Sequence, residues 1–386
     1  MAGFGFKAAL TASPADQTKV IVKATTAFLN TLGAEQRTKI SFAFTPQKAA
    51  VAAKFARKFM PGGPGGPPPD GNKQHPTQGG GMPPKDGPPG GGKGGQFPGF
   101  VGEQYGQAVW SNYPVSDVPR PGLQLGSLTA PQREAAMKML QELLSAKGYQ
   151  KVMEIMGSDQ ALADGGTNFA SGKAVYTLGI FGTPSENTPW MVEFGGHHLA
   201  LNIVIAGARG ALTPTLTGAQ PSVYQANGKT VRVLAAENDK AFDLLNTFDE
   251  AQRKKAILNY AVGDLVLGPG HDGEVIVPEG LKASAMTIKQ KGMLIDLISQ
   301  WAGIINDAYV TERMNEIKTG IDETYFAWSG PTTHQPGKNG SSYYRIQGPR
   351  VIIEFSPQGV GGDPTMHVHT IYRDPLNNYG NAFISK

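Results

Sequence analysis

The chain has 386 residues, with 35 lysines and arginines against 31 acids and no cysteine. Its length is enough to bury a large core, and its net charge of +4 is scattered without an aromatic-interleaved basic stripe, which argues against a nucleic-acid partner. The lack of cysteine excludes disulfides, thiolate catalysis and sulfur-ligated metals, and no apolar run reaches the ~18 residues of a membrane-spanning helix.

The first ten residues, Met1 to Leu10, lack the basic start and unbroken apolar core of a secretory signal. The expectation is therefore a cytoplasmic protein or one whose signal is not in this sequence. Helical spacing of Phe28, Leu29 and Leu32 predicts a helix over Asp16 to Leu32, and Pro46 to Met60 also has helical character. Residues 61 to 99 are two-thirds glycine and proline, too poor in apolar surface to offset their ordering entropy, and are expected to be a disordered insert. His75 lies within that insert, outside any expected site.

Thr129 is a candidate N-cap for a helix over Ala135 to Ala146, which Gly148 is expected to stop, with a second helix over Lys151 to Leu162. Short apolar runs over Ala174 to Phe181, Trp190 to Phe194 and Leu199 to Ala206 then predict a strand meander. Helices return at Glu250 to Ala261 and Ser284 to Lys318. The segments Tyr343 to Ile346, Arg350 to Phe355 and Met366 to Tyr372 predict three antiparallel strands, the first turn being Gly348-Pro349. The fold class implied is α+β, a largely antiparallel sheet covered by N-terminal and middle helices. The organisation expected is a helical segment 1–60 packed on a main domain 100–386, with 61–99 as the insert between them. No fixed-period internal repeat stands out.

Chemistry is concentrated in histidine. Four of the seven histidines fall in two short segments, Gly195-Gly196-His197-His198-Leu199 and Met366-His367-Val368-His369. On a strand, alternation places His367 and His369 on one face. Strand phase allows only one of His197 and His198 to join them; it favours His198, which would share a face with Ala200 and Asn202, although the glycines before it can shift the phase. Asn202 is then expected to hydrogen-bond into the site. Neutral imidazole is the commonest transition-metal ligand, so His367, His369 and one of His197 or His198 are read as one divalent metal site, with zinc or copper the leading candidates. Ordinary half-buried sheet decoration is the competing reading of a His-x-His.

If Phe355 pairs with Met366, Glu354 lies opposite His367 and becomes a candidate base or outer-sphere group. Arg373 is a candidate for binding a substrate carboxylate or phosphate, against the alternative of a local ion pair with Asp374. Three function classes follow. The first is a metal-dependent hydrolase whose three ligands leave a position for water, acting on a small-molecule or polymeric substrate. The second is a copper or iron redox protein with Tyr372 or Trp190 nearby, and the third is a non-enzymatic binding protein.

Several motifs together resemble a known family. They are Gly122-Leu123-Gln124-Leu125, Phe181-Gly182-Thr183-Pro184-Ser185, Trp190 with Gly196-His197-His198-Leu199, Tyr343-Tyr344-Arg345-Ile346 with Gly348-Pro349, and His367-Val368-His369 through Arg373-Asp374-Pro375. They resemble the bacterial proteins grouped as domain of unknown function 3500. Asn377-Asn378-Tyr379-Gly380 departs from the family's Asn-Asp-Tyr-Gly at Asn378, which removes any acidic role there. The resemblance covers roughly residues 100 to 386 and the first helices, and leaves out the glycine-proline insert. It implies export, hence a periplasmic or extracellular location, and no particular activity.

Overall fold

The structure, a computed structural model, describes residues 12–55, 100–167, 172–360 and 362–384. The expectation of disorder over 61–99 lies outside these residues, as does His75. The fold is α+β. Among the described residues, its centre is one eleven-stranded, mostly antiparallel sheet. Eight strands carry it: β1 (Thr177–Phe181), β2 (Trp190–Gly196), β3 (Leu199–Ala206), β4 (Arg209–Ala219), β5 (Tyr325–Ser329), β6 (Tyr343–Gly348), β7 (Val351–Pro357) and β8 (Val368–Arg373). Their spatial order is β1-β2-β3-β4-β8-β7-β6-β5. Two-residue strands Ser41–Phe42 and Leu123–Gln124 flank β1, and Leu281–Lys282 flanks β5.

The central strands are apolar on both faces because both faces are covered, and the whole of β3 is buried. On one side Phe194, Leu201, Ile203, Ile353 and Phe355 pack against helix residues Leu140, Met156, Leu297 and Trp301. On the other side Met191 and Val204 meet Tyr105 and Tyr379, while Leu216 and Ile371 meet Trp110. This second cover includes a small three-stranded sheet, Val51–Phe55, Phe100–Tyr105 and Ala108–Trp110.

The chain builds the same unit twice. Helices Pro14–Asn30 and Ala34–Ile40, then Leu123–Gln124, a short turn, helices Ala130–Leu143 and Ala146–Asp164, lead into β1–β4. Helices Ala235–Asn246 and Glu250–Ala256, then Leu281–Lys282, a short turn, helices Ile288–Ala302 and Asp307–Thr319, lead into β5–β8. Equivalent bonds confirm the match. Gln132 Nε2 donates to Thr31 O at 2.9 Å and Gln36 Oε1 at 3.0 Å; Gln290 Nε2 donates to Thr247 O and Gln252 Oε1, each at 2.9 Å. Arg37 Nε donates to Leu32 O and Arg253 Nε to Phe248 O. The units meet where β4 pairs with β8, and again where Ser145 N donates to Ile304 O and Asn306 N to Leu143 O, each at 3.0 Å. The duplication escapes a fixed-period search because the matched segments are offset unequally along the chain.

Several boundaries differ from expectation. Val51–Phe55 is a strand within the stretch expected to be helical, since pairing with Phe100–Tyr105 overrides the helix propensity of its alanines. Gly148 does not stop a helix but lies inside one, capped by Ser145. A Cβ there would sit 2.2 Å from Ile304 O, so the site requires glycine for close approach rather than for termination. The expected helix over Ser284 to Lys318 is two helices, the second capped by Asn306. Helix Ala235–Asn246 and strands β4 and β5 had no counterpart in the sequence reading. Among the described residues, no helix is long and apolar enough to cross a membrane.

Phe55 pairs directly with Phe100, so the residues that flank segment 56–99 are already joined by a ladder. Replacing 56–99 by an Asn-Gly turn should leave the fold intact and raise the melting temperature, because each halving of a loop recovers about 0.6 kcal/mol of closure entropy. Thermal unfolding monitored by circular dichroism checks this. A lower melting temperature, or loss of the folded state, contradicts it.

Candidate metal centre

His367 directly precedes β8 and His369 lies within it, and both face the side away from the helices, as Ile371 does. His197 and His198 are not on a strand. They form the two-residue turn between β2 and β3, with His198 in the left-handed region at φ 60°. Few non-glycine residues adopt that conformation, and such strain concentrates at functional sites. The preceding glycines permit the turn: a Cβ at Gly196 would lie 2.9 Å from the Tyr176 ring, whose hydroxyl donates to His197 O at 2.8 Å. Buried Arg120 holds the same turn by donating to Gly196 O at 3.1 Å and to Ser111 O at 2.7 Å.

The turn sends its two rings to different partners. His197 Nδ1 bonds Asp159 Oδ1 at 2.7 Å and its ring stacks on that of His198, with centroids 3.7 Å apart, but it is not among the three residues whose ligand atoms converge. His198 Nε2 lies 3.1 Å from His367 Nε2, and His369 Nε2 lies 2.9 Å from His367 Nε2. All three rings are buried, and each offers a ligand atom within 4.8 Å of the others. A tetrahedral metal with bonds of about 2.0–2.1 Å needs nitrogens about 3.3 Å apart. The two spacings from His367 Nε2, 3.1 and 2.9 Å, are close to that.

Outer contacts set the ring protons. His367 Nδ1 lies 3.0 Å from Val360 O and must be the protonated nitrogen, which leaves Nε2 with its lone pair. His369 Nδ1 lies 3.4 Å from Asp264 Oδ1, and its Nε2 likewise faces inward. The 2.9 Å between His369 Nε2 and His367 Nε2 is satisfied either by a proton shared between the rings or by a cation between their lone pairs. Asn112 gives a sign of a missing partner: its Nδ2 lies 2.9 Å from His369 Nε2, while its buried Oδ1 has no hydrogen-bond partner among the described residues. The residues present therefore fit a metal ion.

Burial pushes all three imidazoles below their ordinary value of 6.5. His367 falls to about 3, with His369 as the next cause, and His198 falls well below 6.5, helped by His197 and the other two rings. In His369 the Asp264 carboxylate opposes the shift. Burial disfavours the charged form of Asp264 too, but the bonds from His369, Leu265 and Gln358 outweigh it and hold its pKa below the usual value. The cluster is thus neutral near pH 7, the state that binds metals.

The other residues proposed from sequence lie elsewhere. Phe355 pairs with Thr370 rather than Met366, which puts Ser356 opposite His369 and Glu354 opposite Ile371. Glu354 is fully buried and accepts from Val266 N at 2.9 Å, Leu267 N at 2.7 Å and Tyr343 Oη at 2.5 Å, so it is not a base at the triad. Arg373 is buried against Glu103, with bonds of 3.1 and 2.5 Å, and does not face an open site. Asn202 sits at a strand irregularity, its amide donating to Pro214 O at 3.0 Å instead of to the histidines. Asn112, Asp264 and Gly218 were missed, since nothing in their local sequence marks them.

Residues 100–381 match the family model described as "Protein of unknown function (DUF3500)", and the chain belongs to that family. Neither the curated proteins nor the solved structures gave a match.

Because the folded rings bind protons less readily than the unfolded ones, their contribution to stability is complete above pH 6.5 and is lost as pH falls toward about 3. For the metal-free protein, unfolding free energy should fall across that window, and His367→Gln should flatten the slope by up to about 1.4 kcal/mol per pH unit. Denaturant titrations at several pH values read this out. Equal slopes in the two proteins would show that His367 is not held neutral.

Proposed function

We propose that this protein is a metal-dependent hydrolase in which His198, His367 and His369 hold one divalent transition metal, zinc first and copper second. The observation that carries the reading is the convergence of three buried Nε2 atoms whose outward nitrogens are engaged by protein oxygens at His367 and His369. Three protein ligands leave a coordination position open, as catalytic zinc sites do. When bound, such a metal supplies Lewis acidity, lowering the pKa of a water from 15.7 to about 7.

The chain's own groups have distinct tasks. The three rings would stay neutral and bind; Asn112, whose Nδ2 lies 2.9 Å from His369 Nε2, has a buried amide oxygen able to accept a hydrogen bond. Asp264 is the carboxylate on the solvent side, with 61% of its side chain exposed and its Oδ1 3.4 Å from the outward Nδ1 of His369. The aromatics named for the redox reading have partners of their own: Tyr372 Oη accepts from Arg313 at 2.7 Å, and Trp190 Nε1 donates to Ser185 O at 3.1 Å. We also place the protein in the periplasm or outside the cell, where a cysteine-free chain is at no disadvantage.

Elemental analysis of purified protein after zinc exposure should find one equivalent, and His369→Ala should lose it with an unchanged circular dichroism spectrum. The zinc-loaded wild type should hydrolyse ester, amide or phosphoester reporters, with activity abolished by a chelator and restored by zinc. A wild-type protein that stays metal-free in zinc and in copper overturns the reading. Dioxygen turnover by a copper form, with an inert zinc form, would replace it with the redox alternative.

A further inference from the structure

Two buried charges, Glu354 and Arg373, are left without a catalytic task, yet both hold the same loop. Val266 N and Leu267 N bind the two Glu354 oxygens, at 2.9 and 2.7 Å. Arg373 donates to Leu267 O at 2.8 Å and Gly268 O at 2.6 Å, while its partner Glu103 accepts from Gly270 N at 2.8 Å. Immediately before this clamped stretch stands Asp264. Its Oδ1 lies 3.4 Å from His369 Nδ1 and also accepts from Leu265 N at 2.7 Å and Gln358 Nε2 at 2.9 Å. Gln358 N in turn donates to His367 O at 2.8 Å, which ties the same network to the second histidine of the strand.

We propose that Asp264 is the outer carboxylate that fixes the ring of His369 for metal binding, and that Glu354 acts on the centre from a distance by clamping the loop that carries Asp264. This rests on the metal reading above. An imidazole that binds through Nε2 carries its proton on Nδ1 and needs an acceptor there. Among the described residues, the other polar atom bonded to His369 Nδ1 is Asn112 Nδ2 at 3.1 Å, which is a donor. Asp264 therefore supplies the acceptor, and the loop must be held for its carboxylate to stay in place. Both are positioning residues, since neither lies among the three converging ligand atoms.

The test measures zinc affinity by competition with a chromophoric chelator for wild type, Asp264→Ala, Asp264→Asn and Glu354→Gln. Nitrogen-15 NMR of the metal-free proteins follows the tautomer of His369. Removing such an outer partner weakens metal binding by roughly 10–100-fold, and Asp264→Ala should show that loss together with a changed tautomer. Asp264→Asn keeps an acceptor oxygen and should recover most of the affinity. Glu354→Gln turns one acceptor into a donor facing a loop N–H, and should weaken zinc binding although the histidines are untouched. Asp264→Ala with wild-type affinity and an unchanged tautomer overturns the proposal, and Glu354→Gln with wild-type affinity overturns its remote half. If Glu354→Gln does not fold, Tyr343→Phe, which removes one bond to the Glu354 carboxylate, tests the remote half, and wild-type zinc affinity there overturns it; the Asp264 variants, whose side chain is largely exposed, decide the rest. Failure of the wild type to bind zinc is a different result, which removes the metal reading itself, while the tautomer of His369 still reports on Asp264.

Discussion

The antiparallel pairing of β4 with β8 is the constraint on which the rest depends. It joins the two copies of the repeated unit into one sheet, and its register places Gly218 opposite His369. A Cβ at Gly218 would lie 2.6 Å from Val368 O and 3.3 Å from the Cβ of His198. The absence of that side chain lets a ring from the β2–β3 turn approach rings from β8. A slip of one residue would turn both strand histidines toward the helices and dissolve the cluster. The candidate centre is therefore a consequence of how the two units meet, with one ligand from the first and two from the second.

The face of the sheet that carries the histidines also buries an unusual amount of charge. Glu103, Glu354 and Arg373 are all within 2% of full burial. An isolated buried charge is expensive, and these are tolerated because each is saturated: Glu103 by Arg373, Tyr379 and Gly270 N, Glu354 by Tyr343 and two backbone N–H groups. What they hold is irregular backbone. The loop after helix Glu250–Ala256 has little regular structure of its own, and these side chains supply the partners that a ladder would have given. That loop then brings Asp264 to the solvent side of the triad, so buried side chains hold in place the carboxylate that meets His369.

How much of this was legible in the sequence follows from how local each signal is. The His-x-His spacing was enough to place His367 and His369 on one face, because strand alternation needs no tertiary information. The pairing of Glu354 was misplaced because the chain between β7 and β8 is long enough to permit several registers, and the observed one is fixed by Gln358 N bonding His367 O. His198 was favoured over His197 on a strand phase that does not exist. The turn sends the rings to opposite partners for a different reason, the left-handed conformation of His198 and the hold of Asp159 on His197. Asn112 and Asp264 reach the site only through long-range folding. The duplication was present in the sequence, in Leu29-Asn30-Thr31 through Gln36-Arg37 against Leu245-Asn246-Thr247 through Gln252-Arg253, but the unequal spacing of the matched segments hid it. The family match begins at residue 100, whereas helices Pro14–Asn30 and Ala34–Ile40 complete the first unit and share its core through Ile21, Phe28 and Ile40.

The central claim is that one ion is shared by three imidazoles from the two halves of the chain. X-ray absorption at the zinc edge of the loaded protein, with anomalous diffraction from its crystals, tests it most directly. The account predicts a single site with three nitrogen neighbours at about 2.0–2.1 Å, from Nε2 of His198, His367 and His369. An ion held by other residues, or one with fewer than three imidazole neighbours, would contradict it.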